Sequence, residues 1–154
     1  MSSSEISTAL DRSDRIILSE LIRNGRATFK ELGALAGLSP HAVAPRVRRL
    51  VDAGIVTGFT ALVDYGHVGR GLDALIDVRL LSTAKPETFE AAAAELPSIR
   101  EVSFVTGRFD YQLRAACRDA DDLDHTVRGL RQAGAAVTET RIVMRTQAFL
   151  RAVR

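Results

Sequence analysis

The sequence predicts a two-part α+β fold, and three features carry the prediction. Residues 11–54 hold three short helical patterns with cap signals, and a glycine turn between the second and third. Residues 72–149 run strand, helix, strand, strand, helix, strand by their apolar periodicity. Between them Asp64–Gly71, DYGHVGRG, carries three glycines and reads as a linker or hinge. The expected domains are therefore residues 1–63 and 72–154, joined through 64–71.

Composition bounds the class. With 154 residues, 46% of them hydrophobic and 26% charged, the chain has enough apolar material for a core, although each half alone is marginal. Trp is absent, so Leu, Val, Ile and Ala must build the interior. A single cysteine, Cys117, excludes an internal disulfide framework and fits a reducing cytoplasm. No apolar run reaches the length of a membrane span, and Met1–Thr8 is polar rather than signal-like. A cytoplasmic location with no membrane partner is the expectation. The net charge of +2 is unevenly placed: residues 1–70 hold 9 Lys and Arg against 7 Asp and Glu, whereas residues 71–154 hold 12 against 12.

Serine-rich Met1–Ala9 is expected to be a frayed arm. Asp11 caps a first helix, Asp11–Arg23, with Ile17, Leu18, Leu21 and Ile22 on one face, and Asn24-Gly25 ends it. Thr28 and Glu31 make a capping box for Thr28–Ala36, which Leu32 and Leu35 turn inward. Gly37-Leu38-Ser39 is the turn. Ser39 caps the third helix and Pro40 suits its first position. Val43, Val47, Leu50 and Val51 form that helix's buried stripe, and Gly54 stops it. Ile55–Val63 reads as a strand leaving the motif, which makes the unit a winged-type helix-turn-helix.

The opposite side of the third helix carries His41, Ala42, Pro45, Arg48, Arg49 and Asp52, with Arg46 on its flank. A helix of this kind enters the major groove of double-stranded DNA by its N-terminal end, and its arginines bind phosphates or guanine edges. The expected DNA contacts are Ser39, His41, Ala42, Pro45, Arg46, Arg48 and Arg49. Pro45 is the awkward member. It removes the hydrogen bond to the His41 carbonyl and crowds it, so the helix is expected to be kinked there or tight and irregular in its first turn. Proline also thins polar readout at the centre of the exposed face.

In the second half, Leu72–Leu81 alternates as a half-buried strand and Pro86–Leu96 is an alanine-rich helix closed by Pro97. Strands Ile99–Thr106 and Phe109–Cys117 flank the turn Gly107-Arg108. Asp121–Ala133 is amphipathic through Leu123, Val127 and Leu130, and Val137–Phe149 is the last strand. That order makes a ferredoxin-like βαββαβ sandwich, an antiparallel sheet under two helices. One sheet face is left uncovered, and exposed apolar groups on it predict pairing with another copy. His41, His67 and His125 are scattered, so no metal site or cofactor is expected. Cys117 reads as small apolar filling, and the Asp119–Asp124 carboxylates as residues favoured at a helix start.

These residues resemble the Lrp/AsnC family, the feast/famine regulators of bacteria and archaea. The resemblance runs through Leu10-Asp11…Asp14, Asn24-Gly25-Arg26, Glu31-Leu32, Gly37-Leu38-Ser39, Val43…Arg46-Val47-x-Arg49-Leu50 and Gly54-Ile55-Val56-x-Gly58-Phe59. It continues in Glu101–Asp119, EVSFVTGRFDYQLRAACRD, and Thr138–Met144, TETRIVM. It implies a transcription regulator whose C-terminal (RAM-type) domain forms homodimers through the sheet, commonly joined into octamers, and binds an amino acid or related metabolite between dimers. The family's effector loop matches Thr106, Gly107, Arg108, Phe109 and Asp110, with Thr138 and Thr140 across the pocket. There Gly107 lets a ligand carboxylate approach backbone N–H groups, Asp110 suits an ammonium, and the threonines offer hydroxyls. Two competing functions stand beside this one, the first drawn from Pro45 and the second from the resemblance. One is an architectural protein that wraps DNA with little sequence preference; the other is a sirohaem decarboxylase, for which the loop offers only Arg108. Relatives usually have a residue at Pro45 that is free to stay helical.

Overall fold

The computed structural model of the chain describes residues 10–147 and 149; the expected arm Met1–Ala9 lies outside them. Two compact units result, one built on the residues up to Leu62 and one on Val63–Thr146.

The first unit is three helices, α1 (Arg12–Arg23), α2 (Phe29–Ala36) and α3 (Pro40–Asp52). Local chemistry sets each start. Asp11 caps α1 and forms a reciprocal box with Asp14, and Thr28 does the same with Glu31 on α2. Ser39 caps α3, with Pro40 in its first turn. Gly37, at φ +68°, stops α2 in the left-handed region. Tight packing of the turn falls on Gly33: a Cβ there would lie 2.5 Å from the Leu38 carbonyl oxygen. The core is Ile17, Leu18, Leu32, Val43 and Leu50, with Leu38 and Val47 packed against it.

Three assignments to that core are corrected. Ile22, Leu35 and Val51 are exposed. With so few core residues, three short helices cover only a narrow stripe, and side chains at its margin face water. Ile55–Val63 is likewise not a strand. The Ile55 and Val56 N–H groups both donate to the Leu50 carbonyl at 3.0 Å, and residues 57–64 carry no regular structure. A β-prone run needs a neighbouring strand to ladder with, and no strand lies among the described residues of this unit. No wing hairpin follows α3 there.

The second unit runs β1 (Leu72–Leu80), α4 (Pro86–Ala94), β2 (Ile99–Phe104), β3 (Tyr111–Cys117), α5 (Ala120–Gln132) and β4 (Ala135–Ile142). The sheet order is β2-β3-β1-β4 with every pair antiparallel, which is the ferredoxin-like arrangement. One face of the sheet buries Ala74, Ile76, Val78, Tyr111, Leu113 and Ala115, and α4 and α5 contribute Phe89, Ala93 and Leu130 to the core. The Phe89 and Tyr111 rings meet at 5.0 Å, and the Tyr111 hydroxyl donates to Glu90 at 2.6 Å. Burial, with that carboxylate beside it, pushes the phenol up to about 12. Cys117 is buried in the same core.

β4 stops at Ile142 rather than running to Phe149. It ladders on β1, and Ile142 pairs with Ala74 near the start of that strand, so little partner backbone remains beyond. Residue 148 lies outside the described residues.

The uncovered sheet face is more charged than apolar. Strand alternation places Asp73, Leu75 and Asp77 of β1 there, beside Gln112 and Arg114 of β3 and Arg141 of β4. Arg114 donates to Asp73 through Nε at 3.2 Å and Nη2 at 2.6 Å. Asp77 accepts from Gln112 at 3.0 Å and from Arg141. It is a charged lattice with Leu75 and the exposed Val137, which pairs with Arg79, set in it.

The glycine-rich stretch is anchored to this second unit. Arg70 donates to the Ser98 hydroxyl and the Ala116 carbonyl, both at 3.2 Å, and lies 3.7 Å from Asp122. Arg100 stacks over the Tyr65 ring at 4.7 Å. Donation from Arg118, by side chain and backbone, holds the Asp122 carboxyl far below the usual carboxylate range. For a depressed carboxylate the stabilisation is complete above the unfolded value of about 3.9 and is lost as pH falls toward the folded one. Acid titration of the melting temperature is expected to show a loss beginning near pH ~4 that Asp122→Asn reduces.

Candidate functional site

α3 presents the first cluster of expected site residues. The helix is unbroken from Pro40 to Asp52, with Pro45 inside it. Its first turn is tight, since the Ala42 and Val43 N–H groups both donate to the Ser39 carbonyl, at 3.0 and 3.1 Å. Pro45 is exposed, so water can reach the His41 carbonyl that proline leaves without a helical donor. Ser39, His41, Pro45, Arg48 and Arg49 are exposed, and Ala42 and Arg46 are half-buried. The Ser39 hydroxyl accepts from the Ala42 N–H at 3.2 Å as the cap.

The arginines differ in what they touch. Arg46 reaches back to α1, where Nη1 donates to Asp11 at 2.5 Å and to Asp14 at 2.9 Å. Arg49 donates to the other oxygen of Asp14 at 2.5 Å. Arg48 has no such partner among the described residues. The Asp14 N–H, then the Arg46 guanidinium, hold the Asp11 carboxyl below its ordinary value, and both aspartates raise Arg46. Asp14, fully buried, has a pairing with α3 that sequence reading missed. The signal was present: Asp14 falls on the same helical stripe as Ile17, Leu18 and Leu21, and a carboxylate in an apolar stripe requires a cationic partner.

The second cluster is the β2–β3 loop. Thr106, Gly107 and Arg108 are exposed at its tip, with Gly107 at φ +116° and nothing within 4 Å of a Cβ built there. Asp110 anchors the loop: its N–H donates to the Val78 carbonyl at 2.9 Å and its carboxylate accepts the Leu80 N–H at 2.8 Å. One carboxylate oxygen is therefore already engaged. The Asp110 carbonyl also closes the loop by accepting from Val105 at 2.9 Å. Arg108 lies over the Phe109 ring at 5.1 Å and 3.6 Å from Glu139 of β4. Thr138 and Thr140 pair with Val78 and Ile76, and Thr138 accepts from Arg131 of α5 at 3.1 Å. The β4 residue that meets the loop is thus Glu139, which sequence reading passed over because strand alternation puts it on the other face from its threonine neighbours. Among the described residues no group of three or more His, Cys, Asp or Glu is arranged to hold a metal ion, and no helix is long and apolar enough to cross a membrane.

Comparison with known proteins follows the same division. Residues 10–51 match the AsnC-type helix-turn-helix domain, and residues 73–151 match the Lrp/AsnC ligand binding domain. The chain is 37% identical over 142 residues to the leucine-responsive regulatory protein of Escherichia coli, covering 88% of this chain and 85% of that protein. It is 33% identical over 138 residues to the HTH-type transcriptional regulator LrpA of Mycobacterium tuberculosis, covering 90% and 92%. Among solved structures, a transcriptional regulator of Neisseria meningitidis in complex with L-Met superposes with a TM-score of 0.85 at 32% identity, covering 95% of this chain and 97% of that one.

Proposed function

The chain belongs to the Lrp/AsnC family of helix-turn-helix transcriptional regulators, and on that premise we propose that α3 binds operator DNA while the β2–β3 loop takes an amino-acid effector that adjusts this binding. The observation that carries the DNA half is the exposed face of α3, where His41, Pro45, Arg48 and Arg49 stand beside a serine cap. The N-terminal end of such a helix reaches base edges, and cations along it neutralise phosphates. Arg48 is assigned to phosphate. Arg46, engaged by two carboxylates, acts inside the unit.

The effector half rests on the open Gly107 tip, backed by Asp110 and flanked by Arg108 and Glu139. A carboxylate seated on backbone N–H groups and an ammonium facing an acidic side chain is the recognition an α-amino acid requires. The loop carries no histidine and Arg108 as its basic residue, which favours a regulator over a tetrapyrrole decarboxylase. Dimers through the sheet, meeting across the Asp73–Arg114 and Asp77–Arg141 lattice and joining into octamers in the cytoplasm, complete the proposal.

The test has two arms. Electrophoretic mobility shift with a random-core duplex pool is expected to enrich a defined sequence; long protection of any duplex would instead favour wrapping. That second reading is kept because Pro45 and the engaged Arg46 both thin base readout. A thermal-shift panel of amino acids is expected to contain one that stabilises the chain by about 2.7 kcal/mol at 100 times its dissociation constant. A flat panel would remove the amino-acid assignment and leave the DNA arm untouched.

A further inference from the structure

Asp14 sits without exposed surface between α1 and α3. Burying a carboxylate is costly unless it is paired and hydrogen-bonded. Three donors reach this one: the Asp11 N–H at 3.2 Å, Arg46 Nη1 at 2.9 Å and Arg49 Nη2 at 2.5 Å. The two arginines are not equivalent. The Arg46 side chain, shared with Asp11, is 28% exposed, whereas that of Arg49, held at one nitrogen, is 58% exposed. Arg49 cannot swing away to follow a phosphate without taking one of its three donors from the buried carboxylate beneath it.

We propose that Asp14 is a positioning residue for DNA sequence recognition. By fixing one end of the Arg49 guanidinium at the surface of α3, it turns the remaining N–H groups into directed donors. A planar fork anchored at one nitrogen keeps little of the rotamer freedom of a loose arginine, so it loses little on contact. Directed donors distinguish base edges, whereas a loose cation binds any phosphate. Two neighbouring arginines thereby take different tasks: Arg49 discriminates, and Arg48 supplies sequence-independent affinity.

This assignment rests on the DNA-binding reading, and the experiment separates the two. The probes are a duplex enriched by the wild-type chain from a random-core pool and a shuffled duplex of the same composition. Affinities are read by fluorescence anisotropy across about 50 to 200 mM salt. Asp14→Asn is expected to lower affinity for the enriched duplex about tenfold and for the shuffled one by less than about twofold, with the salt slope unchanged. Arg49→Lys keeps a cation over Asp14 but no planar fork, and the same loss of discrimination is expected. Because Arg49 is exposed, that variant decides the matter if Asp14→Asn does not fold. Equal losses on both duplexes, a steeper salt slope with tighter binding to both, or full discrimination by Arg49→Lys would overturn the proposal. A wild-type chain that binds neither duplex overturns the DNA-binding reading itself, and this assignment with it.

Discussion

Gly33→Ala is expected to cost the N-terminal unit about 2–4 kcal/mol, even though alanine raises helix propensity by about 1 kcal/mol at an ordinary position. The added Cβ would lie 2.5 Å from the Leu38 carbonyl oxygen, and behind that atom is backbone rather than a flexible side chain. The same turn is tied to Gly33 by the Gly37 N–H and by the Leu38 N–H, the latter at 2.9 Å, both donating to its carbonyl. Relief therefore requires opening the angle between α2 and α3. With a core of five buried side chains the unit has little stability to lose. Hydrogen exchange over residues 28–52 is expected to lose its protection, and DNA binding should fall with it. Gly37→Ala provides the contrast. Nothing lies within 4 Å of its built Cβ, so only the left-handed φ of +68° is penalised, at about 1 kcal/mol. Native-like protection in Gly33→Ala would show that the turn is not closely packed.

In the second unit the largest effect is expected at Phe89. Its ring has no exposed surface and meets Tyr111 at 5.0 Å, in the layer where α4 lies on the sheet. Phe89→Ala removes a whole ring that the two helices and the sheet cannot all close upon, at a cost of about 3–5 kcal/mol. The cavity also takes away the neighbour of Tyr111, whose hydroxyl is held by Glu90. Urea unfolding followed by hydrogen exchange of β1 and β3 is expected to register the loss. Phe89→Leu retains part of the volume and should recover part of the stability. A loss below ~1 kcal/mol for Phe89→Ala would mean that the α4 layer is loosely packed.

The contrast between what was legible and what was not follows contact range. Asp11, Thr28 with Glu31, and Ser39 with Pro40 were readable because a cap is settled within four residues. The strand–helix order of the second half was readable because each element states its own period. Leu35 and Val51 misled because helical periodicity gives the direction of an apolar face but not how wide a neighbour covers it. Ile55–Val63 misled for a related reason, since β propensity does not supply the strand with which to pair. The Asp14 contacts join residues 32 and 35 positions apart, and the Asp110 anchor on Leu80 joins residues 30 apart. No local pattern specifies such pairs. The charged sheet face lay between these cases: the alternation of Asp73, Leu75 and Asp77 was visible, but the arginines opposite them depend on register.

At the centre of the account is a division of labour on α3, with Arg48 facing phosphate and Arg46 held inside the unit by Asp11 and Asp14. The salt dependence of DNA affinity reads this most directly, because each lost phosphate contact lowers the slope of log K against log salt by about 0.9. Arg48→Ala is expected to lower the slope by about that amount, and Arg46→Gln, measured where both variants are folded, to leave it unchanged. An unchanged slope for Arg48→Ala, or an equal fall for Arg46→Gln, would contradict it.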